Sequence, residues 1–190
     1  MKVFESNHTY DYPWEEVSTA NWRKYCPWND KSTHVIAVDT LSRSIDATTG
    51  TLTTERLITC RQAAPQWICT LLGGNCTSYV HEVSHVTPSA KTVTMHSTNL
   101  TLSNTISCRE TVTYSPHPAH PDTKTHFKQD AQITALCGGW QKVKNSIEDF
   151  SIDRFTQNAQ RGREGFEAVL DMSRRVFGEQ RERERAMQAA

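Results

Sequence analysis

Residues Trp140 to Phe177 read WQKVKNSIEDFSIDRFTQNAQRGREGFEAVLDMSRRVF. The spacing predicts one long helix whose apolar stripe is interrupted by arginines. Val143, Ile147 and Phe150 mark one face. Continued at the same spacing, that face reaches Arg154, Asn158 and Arg161. A second stripe, Phe155, Ala159, Phe166, Val169, Leu170 and Phe177, runs about a quarter-turn away. Arg154 and Arg161 therefore share a side that begins as a core-facing one. A buried guanidinium requires an anion. The chain supplies no run of carboxylates to be that anion. A ligand is the expectation, and an internal salt bridge is the alternative.

Upstream of this helix the texture is β. From His34 to Ala135 the chain is rich in Val, Ile, Thr and Tyr, with turn residues at intervals. Val35–Ile45 and Leu52–Thr59 flank a Thr49-Gly50 turn. Ser78–Val86 and Thr92–Leu102 flank Thr87 to Lys91. Ile106–Tyr114 and Thr125–Ala135 flank the loop-like SPHPAHPD. With Val3–Tyr10 that makes seven strands, and the short connections predict antiparallel hairpins. A short helix follows the first strand. Asp11 is expected to cap it, Pro13 to sit in its first turn and Pro27 to end it. The fold class is α+β: a curved seven-stranded antiparallel sheet with the long C-terminal helix across its concave face, enclosing a cavity.

One segment breaks the strand pattern. QAAPQWICTLLGGN, residues Gln62 to Asn75, lies between the third and fourth strands. It is apolar and ends in Gly73 and Gly74, which offer hinge freedom. Such an excursion is either a plug over the core or a mobile lid; as a lid it would present Trp67, Ile68, Leu71 and Leu72 to a bilayer, where Trp favours the interface.

The chain has 190 residues and zero formal net charge. That suits one domain, taken as residues 1–177 with a charged tail at 178–190. Bulk attraction to nucleic acid or to a membrane is not expected, so anion recognition must be local. The N-terminal stretch is strand-like and acidic, unlike a secretory signal or an arginine-rich presequence. Six cysteines (Cys26, Cys60, Cys69, Cys76, Cys108 and Cys137) form no Cys-x-x-Cys pair and are read as free thiols.

His81-Glu82-Val83-Ser84-His85 matches the zinc-protease pattern H-E-x-x-H. That chemistry needs a helix, whereas this context is strand-like and holds the histidines ~13 Å apart. Neither a metal site nor a cofactor is expected from these motifs. His117 and His120 are read as exposed turn residues. Arg56 shares a strand face with Thr54 and Ile58. It is open to an ion pair with Asp39 or Glu82 as well as to a ligand.

Several stretches together carry a family resemblance. They are HTYDYPWEEV with Lys24-Tyr25, THVIAVDTLSR, TTERLIT, SYVHEVSHVTP, TMHSTNLTLSN, RETVTYSPHP and IEDFSIDRFTQNAQRGREGFEAVL. The sequence resembles the PRELI-like family of mitochondrial intermembrane-space phospholipid transfer proteins, and most closely its slowmo branch. The resemblance implies a helix-grip fold similar to phosphatidylinositol and steroid transfer domains, one phospholipid in the cavity, and no catalysis. It implies a heterodimer partner, a small helical protein with twin Cys-x9-Cys motifs, and transient contact with membranes. Phosphatidylserine is the favoured cargo and phosphatidic acid the next. Carried over position by position, the headgroup residues are Lys24, His34, Arg56, Arg154 and Arg161. The family's further lysine aligns with Cys60, and Arg61 beside it is the substitute. CPWND replaces the family's Pro-Asn-Pro in the first turn. The rival readings are an adaptor that carries no lipid and a hydrolase using His81, Glu82 and His85.

Overall fold

A computed structural model describes residues 1–61, 77–136 and 141–188, with backbone alone at 141–143, 180–182, 184, 186 and 188. Seven strands form one antiparallel sheet in the order β1-β7-β6-β5-β4-β3-β2. They are β1 (Lys2–Tyr10), β2 (Val35–Ile45), β3 (Leu52–Arg61), β4 (Thr77–Thr87), β5 (Thr92–Asn99), β6 (Ile106–His117) and β7 (His120–Ala135). Strands β2 to β7 each pair with the next in sequence, as antiparallel neighbours. The first strand closes the far side against β7, from Lys2 opposite Ile133 to Tyr10 opposite Thr125. Helix α1 spans Trp14–Ala20 and helix α2 spans Gln141–Gln188. Among the described residues no helix is long and apolar enough to cross a membrane. The expected lid, Gln62 to Asn75 with Trp67, Ile68, Leu71, Leu72, Gly73 and Gly74, lies outside the described residues.

The sheet buries one pleat of its inner strands, whereas β2 at the edge has no buried residue. In β3 the buried residues alternate as Thr54, Arg56, Ile58 and Cys60, the period-two signature of a half-covered strand. The core sits at one end of the concave face. Tyr10, Tyr114, Phe127 and Phe166 form an aromatic box there, Tyr10 meeting Phe166 edge-on at 5.4 Å and Tyr114 meeting Phe127 at 5.2 Å. Val17, Val93, Val169 and Leu170 pack against it with at most 1% of their surface exposed. Helix α2 is thus anchored by Phe166, Val169 and Leu170. Phe177, expected on the same anchoring stripe, is 40% exposed and lies under the Arg23 guanidinium at 5.2 Å.

Four boundaries differ from expectation for identifiable reasons. Pro13 is the N-cap of α1 rather than a first-turn residue, and its carbonyl accepts from Glu16 and Val17. Asp11 makes no cap because its carboxylate pairs with Lys124 at 2.7 Å. Helix α1 stops at Ala20, before Pro27, and tightens into a 3-10 turn over Asn21–Arg23. SPHPAHPD is mostly strand. Strands β6 and β7 run to His117 and His120, which pair across the turn and stack at 5.6 Å. Strand β5 ends at Asn99, whose side chain bonds Thr101, Ile106 and Cys108 and folds Leu102 (φ 56°) into the turn that follows.

A second close contact holds the N-terminal segment on α2. Asn29 is buried, and its amide donates to the Lys24 carbonyl at 2.7 Å and to the Gly165 carbonyl at 3.5 Å. A Cβ on Gly165 would come within 2.7 Å of the Asn29 Oδ1 and 2.8 Å of the Lys31 Cβ. Only glycine lets the helix approach this closely. The CPWND departure thus contributes Asn29 as the joint that fixes Lys24.

Candidate functional site

Between the sheet, the segment after α1 and α2 lies a cavity of about 340 Å³, within the size range of small-ligand sites. Its sheet wall is centred on one pleat of β6, namely Ile106, Cys108, Glu110, Val112 and Tyr114, with Phe127, Gln129 and Ile133 of β7 on one side and parts of β4 (Ser78, Tyr79, Val80) and β5 (Ser97, Thr98, Asn99) on the other. Its helix wall combines the two stripes of α2: Phe150, Arg154 and Asn158 from one, Phe155, Ala159 and Phe166 from the other. Lys24, Tyr25, Ser32 and His34 close the third side. The walls are thus largely apolar or aromatic, with cations at the N-terminal segment and the helix.

The predicted basic residues divide into three groups. Lys24, His34 and Arg154 line the cavity. Lys24 lies along the helix at Gly162, where an added Cβ would sit 4.0 Å from its Nζ. Burial opposes the Lys24 charge, but the acidic groups Tyr25, Glu110 and Glu82 outweigh it and its pKa is raised. The Arg154 guanidinium lies 5.5 Å from the Phe150 ring. Among the described residues neither cation forms a salt bridge. Arg161 is exposed and off the wall, because the lining face of α2 is centred between the two stripes. It is still near enough to His34 to act on it. Burial first, then the charges of Lys24 and Arg161, push the His34 pKa below 6.5.

Arg56 is placed differently. It is 5% exposed and donates through Nε and a terminal nitrogen to Glu82, itself 4% exposed. The Trp22 ring covers it at 5.2 Å. The ion-pair alternative for this residue is the one the structure contains. Arg61 is exposed at the end of β3, where its N–H bonds the His34 carbonyl at 2.8 Å.

The zinc-protease pattern lies within strand β4. His81 bonds Glu55 at 2.6 Å and His85 bonds Thr53 at 3.1 Å on one face, while Glu82 turns to Arg56 on the other. Among the described residues no group of His, Cys, Asp or Glu is arranged to hold a metal. Cys26, Cys60 and Cys108 are free. Burial raises the Cys60 thiol to about 11 and the Cys108 thiol to about 12, so both are neutral and unreactive at physiological pH.

The lining residues that the sequence did not single out include Arg163, whose guanidinium donates to the Ser6 hydroxyl, and a pair of acceptors. Glu110 and Gln129 face the cavity, and the Gln129 amide donates to Glu110. The registers place Arg56 opposite Glu82, Glu82 opposite Ser97 and Ser97 opposite Glu110, a polar row across an otherwise apolar face. Alternation carried the signal. Glu110 stands where Cys108 and Val112 predict an apolar side chain, and Gln129 where Phe127 and Ala131 do.

The profile of the PRELI-like family matches residues 15–176, nearly the whole of this sheet, cavity and helix. The chain belongs to the PRELI-like family. This PRELI-like chain is 49% identical over 172 residues to Protein UPS2, mitochondrial, of Saccharomyces cerevisiae, covering 90% of the chain and 74% of that protein. It is 49% identical over 171 residues to the UPS-like protein C36.10 of Schizosaccharomyces pombe, covering 90% of each. It is 37% identical over 172 residues to the slowmo homolog of Dictyostelium discoideum, covering 90% of the chain and 72% of that protein. Two solved structures share the fold at 10% identity. TTHA0849 from Thermus thermophilus superimposes with a TM-score of 0.58 over 90% of the PRELI-like chain and 99% of its own. Ara h 8.0201 does so at 0.50 over 89% and 97%. The architecture is a helix grip: a curved antiparallel sheet closed on a long C-terminal helix.

Proposed function

We propose that this protein carries one anionic phospholipid between the outer and inner mitochondrial membranes, without vesicles and without catalysis. Phosphatidylserine is the favoured cargo, and phosphatidic acid the next. One observation carries the reading: an apolar cavity in a helix-grip fold whose wall holds Lys24 and Arg154, neither ion-paired among the described residues, beside His34. Membership of the PRELI-like family and the mitochondrial name of a relative 49% identical support it.

Lys24, His34 and Arg154 bind the phosphate, and Arg161 adds its field from the mouth. In a cavity of low dielectric a charge-assisted hydrogen bond contributes about 1.5–3 kcal/mol. Arg56 holds Glu82 in place behind Trp22, and Arg61 positions His34 through its backbone. Burial of acyl chains contributes about 0.8 kcal/mol per methylene. The same chains are already buried in a bilayer, so extraction is close to an even exchange. Gln62 to Asn75 act as the lid, with Trp67, Ile68, Leu71 and Leu72 meeting the membrane. The protein works in the intermembrane space as a heterodimer with a small helical twin Cys-x9-Cys protein.

Transfer of fluorescent phospholipid between liposomes tests the site. The double variant Arg154→Glu, Arg161→Glu is expected to lose transfer by tenfold or more while retaining its circular dichroism, on the order of one lost charge-assisted contact at Arg154 together with the reversed field at Arg161. A folded variant with normal transfer defeats the assignment. Native mass spectrometry of the purified protein tests the reading itself: an adaptor carries no lipid.

A further inference from the structure

The cavity contains an acceptor site as well as a cation site. Glu110 keeps part of its surface, and that surface faces the cavity. Its one hydrogen bond among the described residues comes from the Gln129 amide. Gln129 is 7% exposed, and its Oε1 has no hydrogen-bond partner. A buried acceptor without a donor is costly unless something supplies one. The other carboxylate of the polar row, Glu82, already has Arg56. Glu110 has no such partner, and Lys24 acts on it through its charge alone.

Resting on the lipid-carrier reading, we infer that Glu110 and Gln129 form a subsite for the primary ammonium group of a phospholipid headgroup. Lys24 and Arg154 take the phosphate of the same headgroup. A primary ammonium has three donors, enough for the Glu110 carboxylate and the free Gln129 oxygen together. A trimethylammonium group has none. A phosphomonoester offers no donor of this kind, and its second negative charge would lie against Glu110. The pair is therefore a specificity device: it favours phosphodiesters bearing an amine and disfavours phosphatidic acid. The wall carries three cations, Lys24, Arg154 and Arg163, and one carboxylate, Glu110, which complements a headgroup of net negative charge that also bears an ammonium. Burial also holds the Glu110 carboxyl above its usual range, so an approaching ammonium gains by neutralising it.

The test is competitive transfer by the full-length protein. Donor vesicles of phosphatidylcholine carry equal amounts of phosphatidylserine, phosphatidylethanolamine and phosphatidic acid with identical acyl chains. Mass spectrometry reads the lipids that reach acceptor vesicles. Wild type is expected to favour the two amine lipids over phosphatidic acid. Glu110→Gln is expected to lower that ratio by roughly ten- to a hundredfold, the worth of a charge-assisted contact. Gln129→Leu should lower it in the same direction. Wild type that moves phosphatidic acid as well as the amine lipids overturns the subsite. So does a Glu110→Gln protein with an unchanged ratio. Wild type that moves no lipid at all overturns the carrier reading instead. Should Glu110→Gln fail to fold, wild type decides alone on ethanolamine, N-acetylethanolamine and choline lipids. The first is expected to transfer best, and equal transfer of all three overturns the inference.

Discussion

His34 is half-buried between two cations, and its pKa is lowered by burial and then by Lys24 and Arg161. Between 6.5 and its lower folded value, the unfolded chain holds the proton and the folded chain does not. Stability contributed by the neutral ring is therefore present above 6.5 and is lost as pH falls through the folded value. His34→Asn is expected to flatten the acid limb of the stability curve just below 6.5, measured by denaturant titration at a series of pH values. A curve parallel to wild type would place the proton elsewhere. With an anionic lipid bound, the phosphate offsets the two cations and the wild-type window should narrow. Arg154 and Arg56 illustrate what sequence can say about a charge. Both stood on apolar faces, and both required a counter-charge. Alternation could not distinguish Glu82, two strand residues after Val80, from a ligand arriving from outside. Only the register, which sets Arg56 opposite Glu82, does so.

At the scale of elements, the most demanding contact is the crossing of α2 over the turn that carries Asn29. Gly162 and Gly165 lie one turn apart on α2 but meet different neighbours. A methyl at Gly162 would touch only the flexible end of Lys24, whereas one at Gly165 would drive into Asn29 and Lys31. Gly165→Ala is expected to destabilise the fold by about 1–3 kcal/mol through overpacking. Gly162→Ala should be neutral or slightly stabilising, since glycine costs about 1 kcal/mol in a helix interior. Urea denaturation of the pair checks this, and equal effects would refute it. The strands were legible from their Val, Ile, Thr and Tyr content and the turn residues between them, and β2 spans the expected Val35–Ile45 although its side chains are mostly exposed. The β6–β7 tip was not. Proline and histidine suggested a loop, but at the end of a hairpin those residues retain extended backbone. Alternation along β6 and β7 marks Glu110 and Gln129 as out of place. The helix arginines drew the reading because a guanidinium on an apolar stripe is the more costly anomaly.

At the scale of the whole molecule, the two ends of α2 have different duties. The stretch from Phe150 to Phe166 lines the cavity, and Phe166 to Leu170 bind the aromatic box. Further contacts follow along the helix. Tyr12 donates to Asp171, Arg174 lies 4.0 Å from the Tyr12 ring and bonds Glu16 at 3.1 Å, and Arg23 covers Phe177. Helix α2 nevertheless continues to Gln188, for 48 residues, or about 72 Å of rod. Where side chains beyond Phe177 are described, Glu179, Arg183, Arg185 and Met187 are exposed. Roughly 16 Å of helix thus extends past the last of those contacts. The protein in solution is then not a sphere but a bead with a spike. Small-angle X-ray scattering should give a radius of gyration clearly above the ~16 Å of a compact chain of this size, with a tail of long interatomic distances. Removing the residues after Phe177 should abolish that tail and leave lipid transfer in place. A compact profile from the intact chain would mean that the spike folds back onto the body.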